Sequence, residues 1–154
     1  MIKFKNGGDD APIIENNSGG KQSVPIGDFT LLPTYFTRYY VRKLARDLGK
    51  EDIGKAYIEL LNFLDSLDGS LLLEAINSLT DEPLTAIASV MEAGLKKYPR
   101  NNWKKVPCKD HINHALCHLY MAIHGDEQDE HVEHAICRIA LAYDTFLLNE
   151  EEDI

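Results

Sequence analysis

The chain has 154 residues, with 16 Lys or Arg against 25 Asp or Glu, so its net charge at pH 7 is −9. This length predicts one domain with a buried core. The acidic balance argues against binding to the nucleic-acid backbone, although an acidic surface can also imitate DNA towards a basic partner. No apolar run approaches about 18 residues and no signal-peptide pattern occurs, so we expect a cytoplasmic protein without a membrane span.

The chain divides into an arm and a domain. Residues 1–27 place Gly-Gly pairs and prolines among polar residues, which is typical of a flexible or extended arm. The only weak indication of strands lies there. Residues 28–154 show helical periodicity and predict a single all-α domain, a helical bundle.

Turn signals divide the domain into helices. Gly49 and Asp68-Gly69 interrupt the periodicity, and Thr80-Asp81-Glu82-Pro83 is typical of an N-terminal cap. The helices before the C-terminal third are therefore predicted at 33–48, 51–67, 70–79 and 83–97. The apolar faces within residues 51–79 would suit a homodimer, but they would equally suit packing within the chain.

The C-terminal third contains the same helical sequence motif twice. His111-Ile-Asn-His114-Ala-Leu-Cys117-His118-Leu recurs twenty residues later as His131-Val-Glu-His134-Ala-Ile-Cys137-Arg138-Ile. Positions i, i+3 and i+7 of a helix share one stripe, so each copy carries a polar stripe beside an apolar one. The short connection predicts an antiparallel hairpin. Both polar stripes should then lie on one surface, with the carboxylates of residues 126–130 at its turn end. The cysteines near the apolar stripe are expected to be reduced and buried.

The segment from Lys96 to Lys105 is the one concentrated basic stretch, and it contains the only Trp. Aromatic rings beside cations suit a nucleobase and its phosphates, because a ring can stack while a cation neutralises charge. Lys97 and Arg100 would then hold phosphates, and Tyr98 and Trp103 would contact the base. The alternative is a solvated loop in which Trp103 fills a gap in the core.

Several motifs resemble those of a family of small, mostly phage-encoded proteins, the dATP/dGTP diphosphohydrolase N-terminal domains. The motifs are Gly19-Gly20-Lys21-Gln22, Leu31-Leu32-Pro33, Met91 to Tyr98 followed by Asn102-Trp103, His118-Leu119 and Glu130-His131. The resemblance covers residues 19–46 and 84–148, and residues 47–83 resemble a helical insertion. It implies phosphate-ester chemistry on purine deoxynucleotides, and it adds Asn102 to the predicted nucleotide-binding residues. The chain departs from the family at Pro99 (commonly Gly), Cys117 (commonly Arg) and Arg138 (commonly Asn).

Hydrolysis of a nucleoside triphosphate commonly uses divalent ions that offset phosphate charge and orient water. Carboxylates favour Mg²⁺ or Mn²⁺, whereas imidazoles favour Zn²⁺, Ni²⁺, Co²⁺ or Fe²⁺. The predicted ligands are His114, His118, His131, His134 and Glu130. Among these, His118 and Glu130 are the catalytic candidates. For any one of these histidines, the competing interpretation is an ordinary surface or half-buried residue.

Two known patterns of nucleotide hydrolases do not fit the sequence. MazG-type enzymes carry Glu-x-x-Glu and Glu-x-x-Asp on separate helices. Here Glu127-x-x-Glu130 and Glu150-x-x-Asp153 would lie about 30 Å apart on one helix and could not share a metal ion. The HD pattern needs an adjacent His-Asp pair, which the sequence lacks.

The sequence therefore predicts a protein that binds a purine nucleotide and hydrolyses a phosphoanhydride with a metal ion. Arg138 would join Lys97 and Arg100 in holding phosphates. One alternative is a non-catalytic phage protein that sequesters a nucleotide or inhibits a host protein through its acidic surface. Another is a purely structural phage component.

Overall fold

The computed structural model describes residues 2–152, and side chains as far as Asn149. Its helices are α1 (Thr34–Asp47), α2 (Glu51–Ser66), α3 (Ser70–Leu79), α4 (Pro83–Gly94), α5 (Cys108–Ile123) and α6 (His131–Glu152). A short hairpin pairs β1 (Ile13–Glu15) with β2 (Lys21–Ser23). The prediction of an all-α helical bundle is confirmed. The pair Glu150 and Asp153 lies outside the residues whose side chains are described.

Local signals account for the helix boundaries. Gly49 follows α1 with φ +68°, a left-handed conformation that glycine tolerates. The Glu82 carboxylate accepts a hydrogen bond of 3.0 Å from the Leu84 backbone N–H and caps α4. The fourth helix ends at Gly94, earlier than predicted. Its last carbonyl accepts bonds from the N–H groups of Lys97 (3.0 Å) and Tyr98 (2.9 Å), which turn the chain away from the helix axis.

The core lies between α2, α3, α5 and α6. Its largest enclosed side chains are Tyr57, Leu60, Phe63, Leu72, Ile112, Leu116, Leu119, Ile123 and Ile139. The apolar faces of α2 and α3 are thus used for packing within the chain. Cys117 and Cys137 are buried and Cys108 is half-buried, all three as free thiols. Among residues 2–152, no helix is both long and apolar enough to cross a bilayer.

The fifth helix is the central one, since most of its residues are buried. At its start, the Cys108 thiol lies 3.4 Å from the Ala142 carbonyl, and at its end His118 contacts His131. These pairings make α5 and α6 an antiparallel hairpin, as predicted. The polar stripes do not form an open surface, however. His111, His114 and His131 are buried, with His111 against the Trp103 carbonyl and His131 against Asp126.

The arm docks on the domain through both of its halves. Near its start, the Phe4 ring packs edge-on against Tyr120, with ring centroids 5.9 Å apart, and the Phe4 carbonyl accepts a bond from the Gln128 amide. At the hairpin, the Asn102 amide accepts a bond from the Lys21 N–H (2.8 Å) and donates one to the Lys21 carbonyl (2.7 Å). The arm is thus an ordered wall of the molecule in this conformation. Its predicted flexibility stays a prediction.

Gly20 sets how closely the hairpin approaches the basic segment. A Cβ atom at Gly20 would lie 2.7 Å from the backbone carbonyl of Lys105 and 2.9 Å from a Val106 methyl. We therefore expect Gly20→Ala to push the hairpin outwards and to lower the free energy of unfolding by about 1–3 kcal/mol. Urea denaturation and amide exchange at Lys21 would measure both effects. Asn17→Ala, an exposed change in the same hairpin, is the matched control. Equal stability of the two variants would contradict the close docking.

Candidate functional site

A cleft of about 1160 Å³ lies between the arm, the segment from α4 to the basic stretch, and the polar stripes of α5 and α6. It lies at the upper end of the size range of small-molecule sites, so a nucleoside triphosphate can be accommodated. The arm forms one wall, and Lys97, Tyr98 and Arg100 contribute to another. The histidines and Arg138 lie at its floor.

Three side chains at the turn end of the cleft form a hydrogen-bonded chain. His118 Nδ1 lies 2.9 Å from His131 Nδ1, and His131 Nε2 lies 2.6 Å from Asp126 Oδ2. The side chains of His131 and Asp126 are almost fully enclosed, at 2% and 5% exposure. Gln128 donates two further bonds to Asp126, one from its backbone N–H (3.1 Å) and one from its side-chain amide (2.9 Å).

These contacts fix the proton positions when both rings are neutral. A carboxylate only accepts, so His131 donates from Nε2 and its Nδ1 keeps a lone pair. His118 must then donate from Nδ1. Its Nε2 is left with a lone pair, which can accept a proton or bind a metal ion.

A second pair lies beside the first. The Asp129 carboxylate lies 3.2 Å from His134 Nε2. The His134 ring stacks on His118, with ring centroids 5.1 Å apart and planes inclined by 27°. Burial alone would raise the pKa of Asp129, but the hydrogen bond and charge of His134 outweigh it and lower the pKa to about 2. The pKa of Asp126 is lowered in the same way. Burial alone would raise it, but the hydrogen bonds from His131 and Gln128 outweigh burial and lower it.

The central histidines are neutral at physiological pH. Burial and, next, the neighbouring His134 and His131 hold the pKa of His118 well below its ordinary value. His114 is lowered in the same way, first by burial and then by the charge of Arg138. Their lone pairs are therefore free, but burial also weakens these imidazoles as bases until a negative charge lies beside them.

Arg138 lies at the other end of the floor. Its Nη2 donates a bond of 2.8 Å to the side-chain carbonyl of Gln22, from β2, and the Gln22 amide donates in turn to Asp110 (3.3 Å). Burial lowers the pKa of Arg138 to about 10, so the guanidinium still carries its charge at neutral pH. The thiols beside it stay protonated, since burial raises the pKa of Cys117 to about 12 and of Cys137 to about 11.

The predicted nucleotide-binding residues lie at the mouth and along one wall. Lys97 Nζ contacts Asp9 of the arm, at 2.5 Å from its carboxylate and 2.6 Å from its carbonyl. Tyr98 is half-buried, with its hydroxyl 3.1 Å from the Ser23 hydroxyl. Arg100 is exposed, and Trp103 is half-buried with its carbonyl 3.0 Å from His111 Nε2. The Asn102 side-chain amide is used in hydrogen bonds to the arm. Its position is therefore explained by its role in docking the arm on the domain.

The structure thus brings together His118, His131 and His134, but with Asp126 and Asp129 as their carboxylate partners. The sequence predicted for these two aspartates only a place among the carboxylates at the turn end of the hairpin. A signal was present: each lies five residues before its histidine, Asp126 before His131 and Asp129 before His134. Glu130 is exposed and makes no side-chain hydrogen bond within the described residues.

The predicted metal ligands do not close around an ion in this conformation. Within the described part of the chain, no group of three or more His, Cys, Asp or Glu side chains is arranged to hold a metal. The hydrogen bonds explain this in part. His131 uses both ring nitrogens, and His134 Nε2 faces Asp129. Metal binding by His114, His118, His131, His134 and Glu130 stays a prediction.

The sequence model of a family described as dATP/dGTP diphosphohydrolase, N-terminal, matches residues 49–154. The match covers more than half of the chain, so the chain belongs to this family, and the predicted resemblance is confirmed. The family name connects it with diphosphohydrolase function on dATP and dGTP. The match runs through most of segment 47–83, whose interpretation as an insertion stays a prediction. No curated protein and no solved structure matches the chain.

His111 should make the protein acid-sensitive. Burial, followed by the charge of Arg138, lowers its pKa from 6.5 to about 3. Below the unfolded pKa the unfolded chain binds a proton that the folded chain does not, so stability is lost as pH falls. For one histidine this loss is about 2 kcal/mol between about pH 7.5 and about pH 5. We expect His111→Gln to remove that part of the drop in urea denaturation. Lys109→Gln, an exposed control on the same helix, should leave the drop intact, and an unchanged drop in His111→Gln would contradict the assignment.

Proposed function

We propose that this member of the dATP/dGTP diphosphohydrolase N-terminal family hydrolyses a phosphoanhydride bond of a purine deoxynucleoside triphosphate, with His118 as general base. The observation that supports this is the chain from His118 through His131 to Asp126 at the floor of the cleft. It leaves one lone pair, on His118 Nε2, free to take a proton. Proton transfer by a positioned imidazole is a common way of activating water.

In the proposed step a water oxygen attacks the α-phosphorus, and its proton passes to His118 Nε2. The bond from the α-phosphorus to the bridging oxygen breaks, and the electron pair leaves with pyrophosphate. His118 then carries a positive charge. That charge is stabilised through its Nδ1–H bond to His131, which is held by the Asp126 carboxylate. A low resting pKa keeps His118 unprotonated, and the negative phosphates raise its basicity when they bind.

The remaining predicted residues would bind and orient the nucleotide. Lys97 and Arg100 lie at the cleft mouth where phosphates would enter, and Arg138 lies further inside. Tyr98 and Trp103 offer half-buried rings to the purine. Lys97 must leave Asp9 to contact a phosphate, so binding would exchange one anionic partner for another. Asn102 would act indirectly, by holding the arm against this wall.

A second candidate is a non-catalytic protein that sequesters a purine nucleotide. The arrangement of the histidines favours it in one respect, because their ring nitrogens are partly engaged with each other and with aspartates. Such a protein would bind a deoxynucleotide without turnover. Inhibition of a host protein, homo-oligomer formation, a cytoplasmic location and dependence on a divalent ion all stay predictions.

The decisive change is His118→Gln, which removes the proposed base and keeps a polar side chain of similar reach. With dATP and dGTP, and with Mg²⁺, Mn²⁺ or a chelator present, we expect kcat to fall by about 10²–10⁴-fold with little change in KM. Product separation would measure deoxynucleoside monophosphate and pyrophosphate. His124→Gln is the matched control, since that imidazole contacts Phe4 outside the cleft. Nucleotide binding without turnover in the unmodified protein would favour the sequestering function.

Asp126→Asn tests the relay separately from the base. The amide can donate as well as accept, so it no longer fixes the protonation of His131 or stabilises charge on His118. We expect kcat to fall by about 10–100-fold, less than for loss of the base, because Asp126 acts on His118 only through His131. Asp144→Asn, an exposed change on α6, should leave kcat unaltered. Activity of Asp126→Asn equal to that control would rule out the relay.

A further inference from the structure

Arg138 has no carboxylate partner within salt-bridge distance among the described residues. Its one hydrogen bond goes to the neutral side chain of Gln22, and Asp110 is reached only through that amide. Its Nε is enclosed and has no partner. A cation withdrawn from water is costly unless an opposite charge lies beside it, and a neutral amide offsets this cost only in part. This end of the cleft therefore carries a positive charge that Asp110, one amide away, offsets only in part.

Two enclosed imidazole nitrogens near Arg138 also lack partners among the described residues: His111 Nδ1 and His114 Nε2, in residues that are 0% and 7% exposed. His111 Nε2 faces the Trp103 carbonyl, which only accepts, so His111 donates from Nε2 and its Nδ1 keeps a lone pair that cannot donate to an anion. His114 Nε2 has no such constraint and can donate. The charge of Arg138 is the second cause, after burial, of the lowered pKa of His114. Enclosed polar atoms are normally hydrogen-bonded, so Arg138 Nε and His114 Nε2 indicate that a ligand completes them.

The chemistry of these groups defines the ligand. A guanidinium donates only and repels cations, and a neutral imidazole can donate from one nitrogen. The ligand must therefore be an anion with several acceptor oxygens. Guanidinium groups suit phosphoryl oxygens particularly well, because charge-assisted bonds to them are short and strong. Arg138 and His114 both line the cleft.

We propose that Arg138 and His114 form an anion pocket at the inner end of the cleft, and that it binds the pyrophosphate part of the nucleotide and the pyrophosphate released from it. The identification of this anion as the leaving group rests on the proposed function. His114 lies about one helical turn from His118 along α5. An anion in the pocket thus lies next to the base, and the bond to be broken falls between them.

The arm contributes to this pocket, because Gln22 of β2 reaches the guanidinium with its buried side-chain amide. A pyrophosphate oxygen could replace the Gln22 carbonyl on Nη2 while the Gln22 amide keeps its contact with Asp110.

The test uses the full chain and inorganic pyrophosphate without nucleotide or divalent ion, titrated calorimetrically at constant ionic strength. We expect one saturable site, with phosphate bound at least about 10-fold more weakly because it offers fewer oxygens. Arg138→Gln should weaken pyrophosphate binding by at least about 10-fold. Arg42→Gln, an exposed change of equal charge on α1, should bind like the unmodified protein.

His114→Phe provides a second variant in case Arg138→Gln does not fold. Its Nε2 has no partner, so a ring of similar size removes only the donor to the anion. A roughly 3- to 10-fold loss of pyrophosphate affinity is expected. Absence of saturable binding, or equal affinity in the Arg138→Gln and Arg42→Gln proteins, overturns the pocket. Equal affinity for phosphate and pyrophosphate overturns its assignment to the leaving group.

These outcomes are separable from those of the proposed function. Turnover of dATP or dGTP without pyrophosphate binding would remove the pocket and leave the hydrolase. Pyrophosphate binding without turnover would keep the pocket as an anion site and remove the hydrolase.

Discussion

Both the packing of the α5–α6 hairpin and the proposed proton transfer depend on the contact between the imidazoles of His118 and His131. Polar atoms enclosed between helices must find partners, so α5 and α6 are stable only in a register that places these rings together. The apolar core requires the same register, since at the other end of the hairpin Cys108 meets Ala142. Asp126 then closes the chain from the turn. A slip of one helical turn would leave these three side chains unpaired, and the site would disappear with the packing.

The environment of that contact comes from parts of the chain outside the hairpin. The arm reaches Arg138 through Gln22 and the basic segment reaches His111 through Trp103, and burial keeps His111, His114 and His118 neutral. The same arm engages two of the proposed phosphate-binding cations, Lys97 through Asp9 and Arg138 through Gln22. Phosphates must compete with these contacts. Nucleotide affinity is therefore linked to the stability of the docked arm, and the Gly20 contact with Lys105 bears on both.

Much of the fold could be predicted because it follows from local signals. The helix boundaries follow from helical periodicity, from Gly49 and from the cap at Glu82. The repeated motif of the C-terminal third predicted the hairpin. Burial of the histidine stripe could not be predicted, because it depends on where a Gly-rich arm docks, and that is decided by long-range contacts such as Asn102 with Lys21. The aspartate partners were missed for a related reason. From sequence alone, an acidic residue near a helix start is explained by its interaction with the helix dipole. Its histidine partner becomes apparent only once the conformation of the turn before the helix is known.

The chain as a whole is acidic, with a net charge of −9, and its cleft is lined by charges of both signs. Lys96, Lys97 and Arg100 lie along the cleft and Arg138 lies at its inner end, while Asp126, Asp129 and Glu130 line its turn end. An anion is therefore attracted to a particular part of the cleft by the local charges rather than by the net charge of the protein. His111 and His114 cannot add positive charge near neutral pH, because burial and Arg138 itself oppose their protonation. The positive charge at the inner end is therefore that of Arg138 alone. An anion bound there would relieve the repulsion that keeps those imidazoles neutral, which couples anion binding to their basicity.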